Sequence, residues 1–136
     1  MVVSMNHFYF GKSNESLSTK LKFKTCTYST TNCNYVSIYT DDKYIIHSSL
    51  EISLYDTGVL IKNHEKNLEY AIKYDSINEI STKKSTLLSR PILTIYFPSP
   101  NGENKLKFHI GDDSTMKMMH KQLTFAIEKS KFYQNI

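Results

Sequence analysis

Five histidines, His7, His47, His64, His109 and His120, are the first candidates for acid–base or metal chemistry, and they lie scattered along the chain. None falls in a nucleophile or metal motif. His109 belongs to a strand pattern and His120 to a helical one, where a histidine is ordinarily partly buried or solvent-facing. The paired carboxylates Asp41-Asp42 and Asp112-Asp113 are adjacent in sequence, so their side chains diverge; they read as a turn and a helix cap. Cys26 and Cys33 have six residues between them, which matches no close pair of zinc ligands, and reduced thiols are expected. No catalytic residue, metal or cofactor is therefore assigned, and an enzyme is not expected.

Charge is the next source of chemistry. The formal net charge is +4, carried almost wholly by lysine, with Arg90 the one arginine. Bidentate recognition of phosphate or of base edges leans on arginine, whereas lysine acts as a hydrated point charge. Lys20, Lys22 and Lys24 alternate with Leu21 and Phe23, and Lys105 and Lys107 alternate with Leu106 and Phe108. On strands such lysines share one side, which reads as a solvated sheet face, and nucleic acid is not an expected partner.

Positioning these residues requires a fold, and the clearest stretch runs from Leu50 to Ser81. Leu50, Ile52 and Leu54 alternate with polar neighbours, Asp56-Thr57-Gly58 turns the chain into Val59-Leu60-Ile61, and 63–67 turns it again toward Tyr70-Ala71-Ile72. Upstream, residues 7–10, 20–28, 35–40 and the run starting at Tyr44 read as strands, with Phe23 and Leu21 facing inward. Residues 12–18 read as a loop or poorly formed helical turn, 29–34 as a polar turn, and Ser48-Ser49 as a bend. Downstream, Pro98 to Gly102 is the strongest turn signal, joining strands 92–97 and 105–110. From Asp113 to Tyr133 no Gly or Pro interrupts the chain, and Met116, Met119, Leu123 and Ile127 recur at helical spacing with Ala126 beside them. Asp113 or Ser114 would cap this helix, with Lys129 and Lys131 at its negative end. Met118, Phe125 and Phe132 lie to one side of its main stripe.

A chain of 136 residues with 40% hydrophobic content suits one domain, 1–136, burying roughly two-thirds of the unfolded surface. The expected class is mainly β with one C-terminal α-helix: an antiparallel barrel or sandwich of about seven strands between 7 and 110, capped by the helix at 113–133. No secretory signal and no membrane-spanning run is read, and an intracellular, soluble chain is expected, in the cytoplasm rather than the nucleus.

This order resembles the pleckstrin-homology-like superfold, and LEISLYDTGVLIKN, LEYAIKY, INEIS and IGDDSTMKMMHKQLTFAIEKSKF are similar to its phosphotyrosine-binding and FERM third-lobe branch over residues 35–133. The resemblance implies binding of a protein or peptide partner by strand addition beside the C-terminal helix. Carried over by position, the strand edge is Ile77 to Thr82, with Ile77, Ile80, Ser81 and Thr82, and the helix offers Met118, Gln122 and Phe125. A phosphate pocket needs converging arginines, so unphosphorylated peptide is the more consistent ligand. Two alternatives remain open. One is a phosphoinositide or membrane-surface module using Lys12, Lys83 and Lys84, with only weak contact to acidic lipid; Arg90, with Lys83 and Lys84 near it in sequence, is the candidate anion site. The other is a scaffold subunit of a nuclear transcription, chromatin or recombination complex.

Overall fold

The computed structural model describes residues 3–5, 8–40, 43–47, 49–99 and 102–134. His7, the Asp41-Asp42 turn, Ser48 and the tip of the Pro98–Gly102 hairpin at Pro100-Asn101 lie outside the described residues. Eleven strands are seen among the described residues where the sequence pattern suggests about seven: β1 (Val3–Met5), β2 (Phe8–Lys12), β3 (Cys26–Thr30), β4 (Cys33–Tyr39), β5 (Lys43–His47), β6 (Leu50–Tyr55), β7 (Gly58–Asn63), β8 (Leu68–Lys73), β9 (Glu79–Lys83), β10 (Ile92–Ser99) and β11 (Gly102–Ile110). A short α1 (Leu17–Lys20) follows β2, and α2 (Asp113–Gln134) ends the described chain. The strands form two antiparallel sheets, β1-β2-β8-β7-β6-β3 and β5-β4-β11-β10-β9, and neither closes into a barrel.

Period-two alternation explains the central meander. Leu50, Ile52 and Leu54 of β6 pair with Asn63, Ile61 and Val59 of β7 on the face turned toward the core. The opposite sheet contributes Val36, Ile38, Leu93, Ile95, Phe97, Leu106 and Phe108, all buried in one apolar cluster with these residues. α2 completes that cluster with Met116, Met119, Leu123, Ala126 and Ile127, the helical stripe expected from spacing.

The apolar run Val59-Leu60-Ile61 does not alternate because β7 is covered on both faces. Leu60 and Ala71 point away from the main core and meet Leu17 and Phe23 in a second cluster. This corrects the reading of 20–28 as a strand. Leu17 to Lys20 form a helical turn, Lys22 takes a left-handed φ of 61°, and only Cys26–Thr30 is strand. The segment instead straps the outer face of the six-stranded sheet, held by Leu17 N–H donating to buried Glu69 Oε1 at 3.1 Å and by Lys24 N–H donating to Asp56 Oδ1 at 3.0 Å. Phe23 is inward as expected and Leu21 half-buried, while Lys20, Lys22 and Lys24 point to solvent from the strap rather than from a sheet face.

The helix cap also sits one residue earlier than expected. Thr115 N–H donates to Asp112 Oδ1 at 2.7 Å, which makes Asp112 the cap; Asp113 is engaged by Ser85 instead, accepting from its backbone N–H at 2.9 Å and from its hydroxyl at 2.5 Å. Those bonds hold both carboxyls below their ordinary pKa, the Thr115 N–H leading for Asp112 and the Ser85 hydroxyl for Asp113. No helix among the described residues is long and apolar enough to cross a membrane.

Candidate functional site

α2 lies across one end of the two sheets, and an edge strand runs along each of its flanks. β3 pairs with β6 alone and β9 with β10 alone among the described residues, so each leaves one backbone edge open. Successive helical residues are turned by about 100°. Thr124 and Phe125 therefore face different flanks, and the two clefts they line differ in size and chemistry.

The larger cleft, about 490 Å³, lies between the β3 side and α2. Thr25, Thr27, Asp56 and Thr57 form one wall, and Gln122, Phe125 and Lys129 the other. Phe125 is 62% exposed although it is a large apolar side chain on a well-packed helix. Thr57 adds a buried hydroxyl with no hydrogen-bond partner among the described residues. A bulge at Thr27 interrupts the β3–β6 ladder, and its hydroxyl donates back to Leu54 O at 3.2 Å. The smaller cleft, about 210 Å³, lies between β9 and α2, with Ile77, Ile80, Thr124 and Ile127 among its walls and Glu128 and Lys131 at its rim.

The residues carried over by position are thus divided between the two flanks. Gln122 and Phe125 share the β3 cleft, with Met118 one turn earlier on the same stripe, its sulfur 3.8 Å from Gln122 Nε2. Ile77 and Ile80 line the β9 cleft. Ile77 precedes the strand and is buried, its N–H donating to Tyr74 O at 3.1 Å, whereas Ile80 pairs with Ile95 and packs half-buried on the core. Ser81 points to the other side of the sheet, 3.4 Å from the Tyr96 hydroxyl, and Thr82 is exposed opposite Leu93. Spacing alone missed Thr25, Thr27 and Thr57; Asp56-Thr57 was legible as a turn, but nothing in the sequence says that this turn faces the helix.

Two of the loop cations, Arg90 and Lys84, are engaged by separate partners. With the Asn34 amide turned so that its oxygen faces Arg90, that oxygen accepts from Nε at 3.0 Å and Nη2 at 3.3 Å, and Lys84 lies in the field of Asp113. Between them Thr86 and Ser89 exchange backbone hydrogen bonds and their hydroxyls meet at 2.8 Å, so the tight turn presents Leu87 and Leu88 wholly to solvent.

The titratable candidates are equally dispersed. His64 Nε2 meets Glu51 Oε1 at 2.9 Å, a contact that holds the Glu51 carboxyl below its usual range. His109 Nε2 lies 3.1 Å from Ser37 Oγ, and burial lowers the pKa of its ring. Both cysteines are free; Cys33 is buried, which pushes its thiol up to about 12. Among the described residues no group of three or more His, Cys, Asp or Glu is placed to hold a metal ion.

No protein-family model matches the sequence, and no curated protein matches it. Among solved structures the chain is similar to SsgB, a protein in which mutations correlate with longitudinal cell division during sporulation of Streptomyces coelicolor. The two are 11% identical over 81% of this chain and 91% of that one, with a TM-score of 0.30, a likeness too low to carry an argument about fold or function.

Proposed function

We propose that this chain is a non-enzymatic protein-interaction module of the pleckstrin-homology-like, phosphotyrosine-binding type, which takes an extended segment of a partner protein along the β3 flank of α2. The observation that carries this reading is the exposed Phe125 ring on the wall of a cleft of about 490 Å³ beside an open strand edge. Strand addition supplies main-chain hydrogen bonds, and a cleft beside the edge accepts alternate side chains. Two antiparallel sheets followed by a C-terminal helix are consistent with the superfold. The cleft is lined by one cation, Lys129, and one anion, Asp56, so it has no surplus positive charge for a phosphoryl group and suits an uncharged apolar anchor.

A peptide selected from a random display library on the intact chain provides the probe. Its binding should weaken by about 1–3 kcal/mol in Phe125→Ala. Stability should change by no more than about 0.5 kcal/mol, because the ring is largely outside the core. Thr124→Arg, on the other flank, should leave binding unchanged. Selected peptides indifferent to Phe125→Ala would refute the reading. Loss in Thr124→Arg alone would move the site to the β9 edge, a second reading favoured by the regular pairing of β9 and the Ile77, Ile80 and Ile127 walls of its cleft.

A further inference from the structure

The five-stranded sheet has a second face, turned away from α2, that the clefts do not use. Its register brings distant residues into rows. Lys43, Tyr39, Lys105 and Tyr96 stand side by side on β5, β4, β11 and β10. Two residues further along, Lys107 stands next to Ser37, and beyond it His47, Tyr35 and His109 form a third row. Neighbouring strands are about 4.8 Å apart, so each row is a short ladder of rings and ammonium groups on one plane.

The contacts within these rows are specific. The ammonium groups of Lys43, Lys105 and Lys107 lie 5.0, 5.2 and 5.4 Å from the centre of the Tyr39 ring. Tyr35 is stacked on His109 with ring centres 3.9 Å apart, and His47 is 5.8 Å from Tyr35. None of the three lysines has a carboxylate partner among the described residues; the carboxylates of this face, Glu79 and Glu103, stand at its borders. Three like charges gathered about one ring repel each other, and each makes only a weak exposed cation–π contact in return. A ligand with regularly spaced anions would relieve that repulsion.

We infer that this face binds single-stranded nucleic acid, with Lys43, Lys105 and Lys107 on phosphates and the Tyr39 and Tyr35–His109 rings as stacking platforms. Lysines alone would suit any polyanion. Aromatic rings interleaved with them favour a strand whose unpaired bases present π-faces, while a duplex keeps its bases stacked internally and a bilayer offers none. The small net charge of the whole chain does not oppose this, because Lys43, Lys105 and Lys107 gather about one ring with no carboxylate partner among the described residues.

Fluorescence anisotropy with labelled oligothymidylate and oligouridylate of about 20 nucleotides tests the inference. Three phosphate contacts predict that the logarithm of affinity falls with the logarithm of salt with a slope of about −2. Replacing Lys43, Lys105 and Lys107 by Gln should remove most of that slope. Tyr39→Leu should weaken binding roughly 5- to 150-fold at fixed salt while leaving the slope in place. The matched control, Gln at Lys20, Lys22 and Lys24 on the strap over the other sheet, changes net charge equally and should leave affinity within about twofold. Equal loss in that control, a salt slope near zero, or no effect of Tyr39→Leu would overturn the inference. So would equal or tighter binding to polyglutamate, to the duplex of the same sequence, or to phosphatidylserine vesicles. Melting curves on each variant establish that it is folded; should the triple variant fail to fold, the wild-type slope and Tyr39→Leu still decide.

Discussion

Gly58→Ala should destabilise the fold, and the structure sets the size of the effect. A Cβ at this position would stand 2.2 Å from Phe23 Cζ and 2.6 Å from the carbonyl oxygen of Ile72. The ring belongs to the strap and can shift only by loosening the cluster with Leu17 and Leu60; the carbonyl lies within the β7–β8 ladder. Overpacking of this kind costs about 1–3 kcal/mol, against roughly 0.4–1 kcal/mol gained by restricting the unfolded chain. A net loss of about 1.3 kcal/mol is expected. With an unfolding entropy of about 0.29 kcal/mol/K for a chain of this length, that corresponds to a fall of about 4–5 °C in Tm. Thermal unfolding followed by circular dichroism measures it, with Phe23→Ala as a second background. There the ring clash is gone and the carbonyl clash remains, so Gly58→Ala should cost about 1 kcal/mol less than in the wild type. An unchanged or raised Tm, or the same cost in both backgrounds, would refute the packing argument.

The two thiols should separate cleanly in a labelling experiment at pH 8: exposed Cys26 reacts in the folded chain, while Cys33, buried and with its pKa pushed up to about 12, reacts only on denaturation. Equal rates for both would contradict the placement of β4. Acid should also weaken the fold. Glu51, Asp112 and Asp113 all have depressed pKa values in the folded state, so their stabilisation is complete above the ordinary carboxylate range, about pH 4–4.5, and is lost as pH falls through their lower folded values. Asp112→Asn keeps the cap and removes the titration, so Tm against pH should fall less steeply below about pH 4.5. An unaltered acid slope would show that the cap carboxylate contributes nothing to it.

How much of the molecule was legible depends on what its residues must satisfy. β6, β7 and the stripe of α2 are visible in the sequence because one face is buried and the period follows. Lys20 to Lys24 mislead for the same reason: alternating Lys and apolar residues imitate a strand, but Leu17 and Phe23 are satisfied by the outer face of a sheet built from residues far along the chain. The edge strands β3 and β9 carry few buried apolar residues, so their alternation is weak. Phe125 could be singled out because it falls off the buried stripe, yet helical periodicity cannot tell which sheet edge lies beside that flank. The rows on the outer sheet face are further from view, since Tyr39 and Lys105 become neighbours only through the β4–β11 pairing.

That pairing also orders events during synthesis. The β4–β5 hairpin emerges from the ribosome early, but its partner β11 is made about 60 residues later, at roughly 5–20 residues per second. For several seconds Val36, Ile38 and Ile46 have neither the opposite strand nor α2 to cover them. The six-stranded sheet does not wait in this way, because β1, β2, β3, β6, β7 and β8 are all complete by Lys73. A stalled or shortened chain ending before residue 102 would therefore display a finished sheet beside an unpaired hairpin, a form open to capture by chaperones or by the same hairpin in a neighbouring nascent chain.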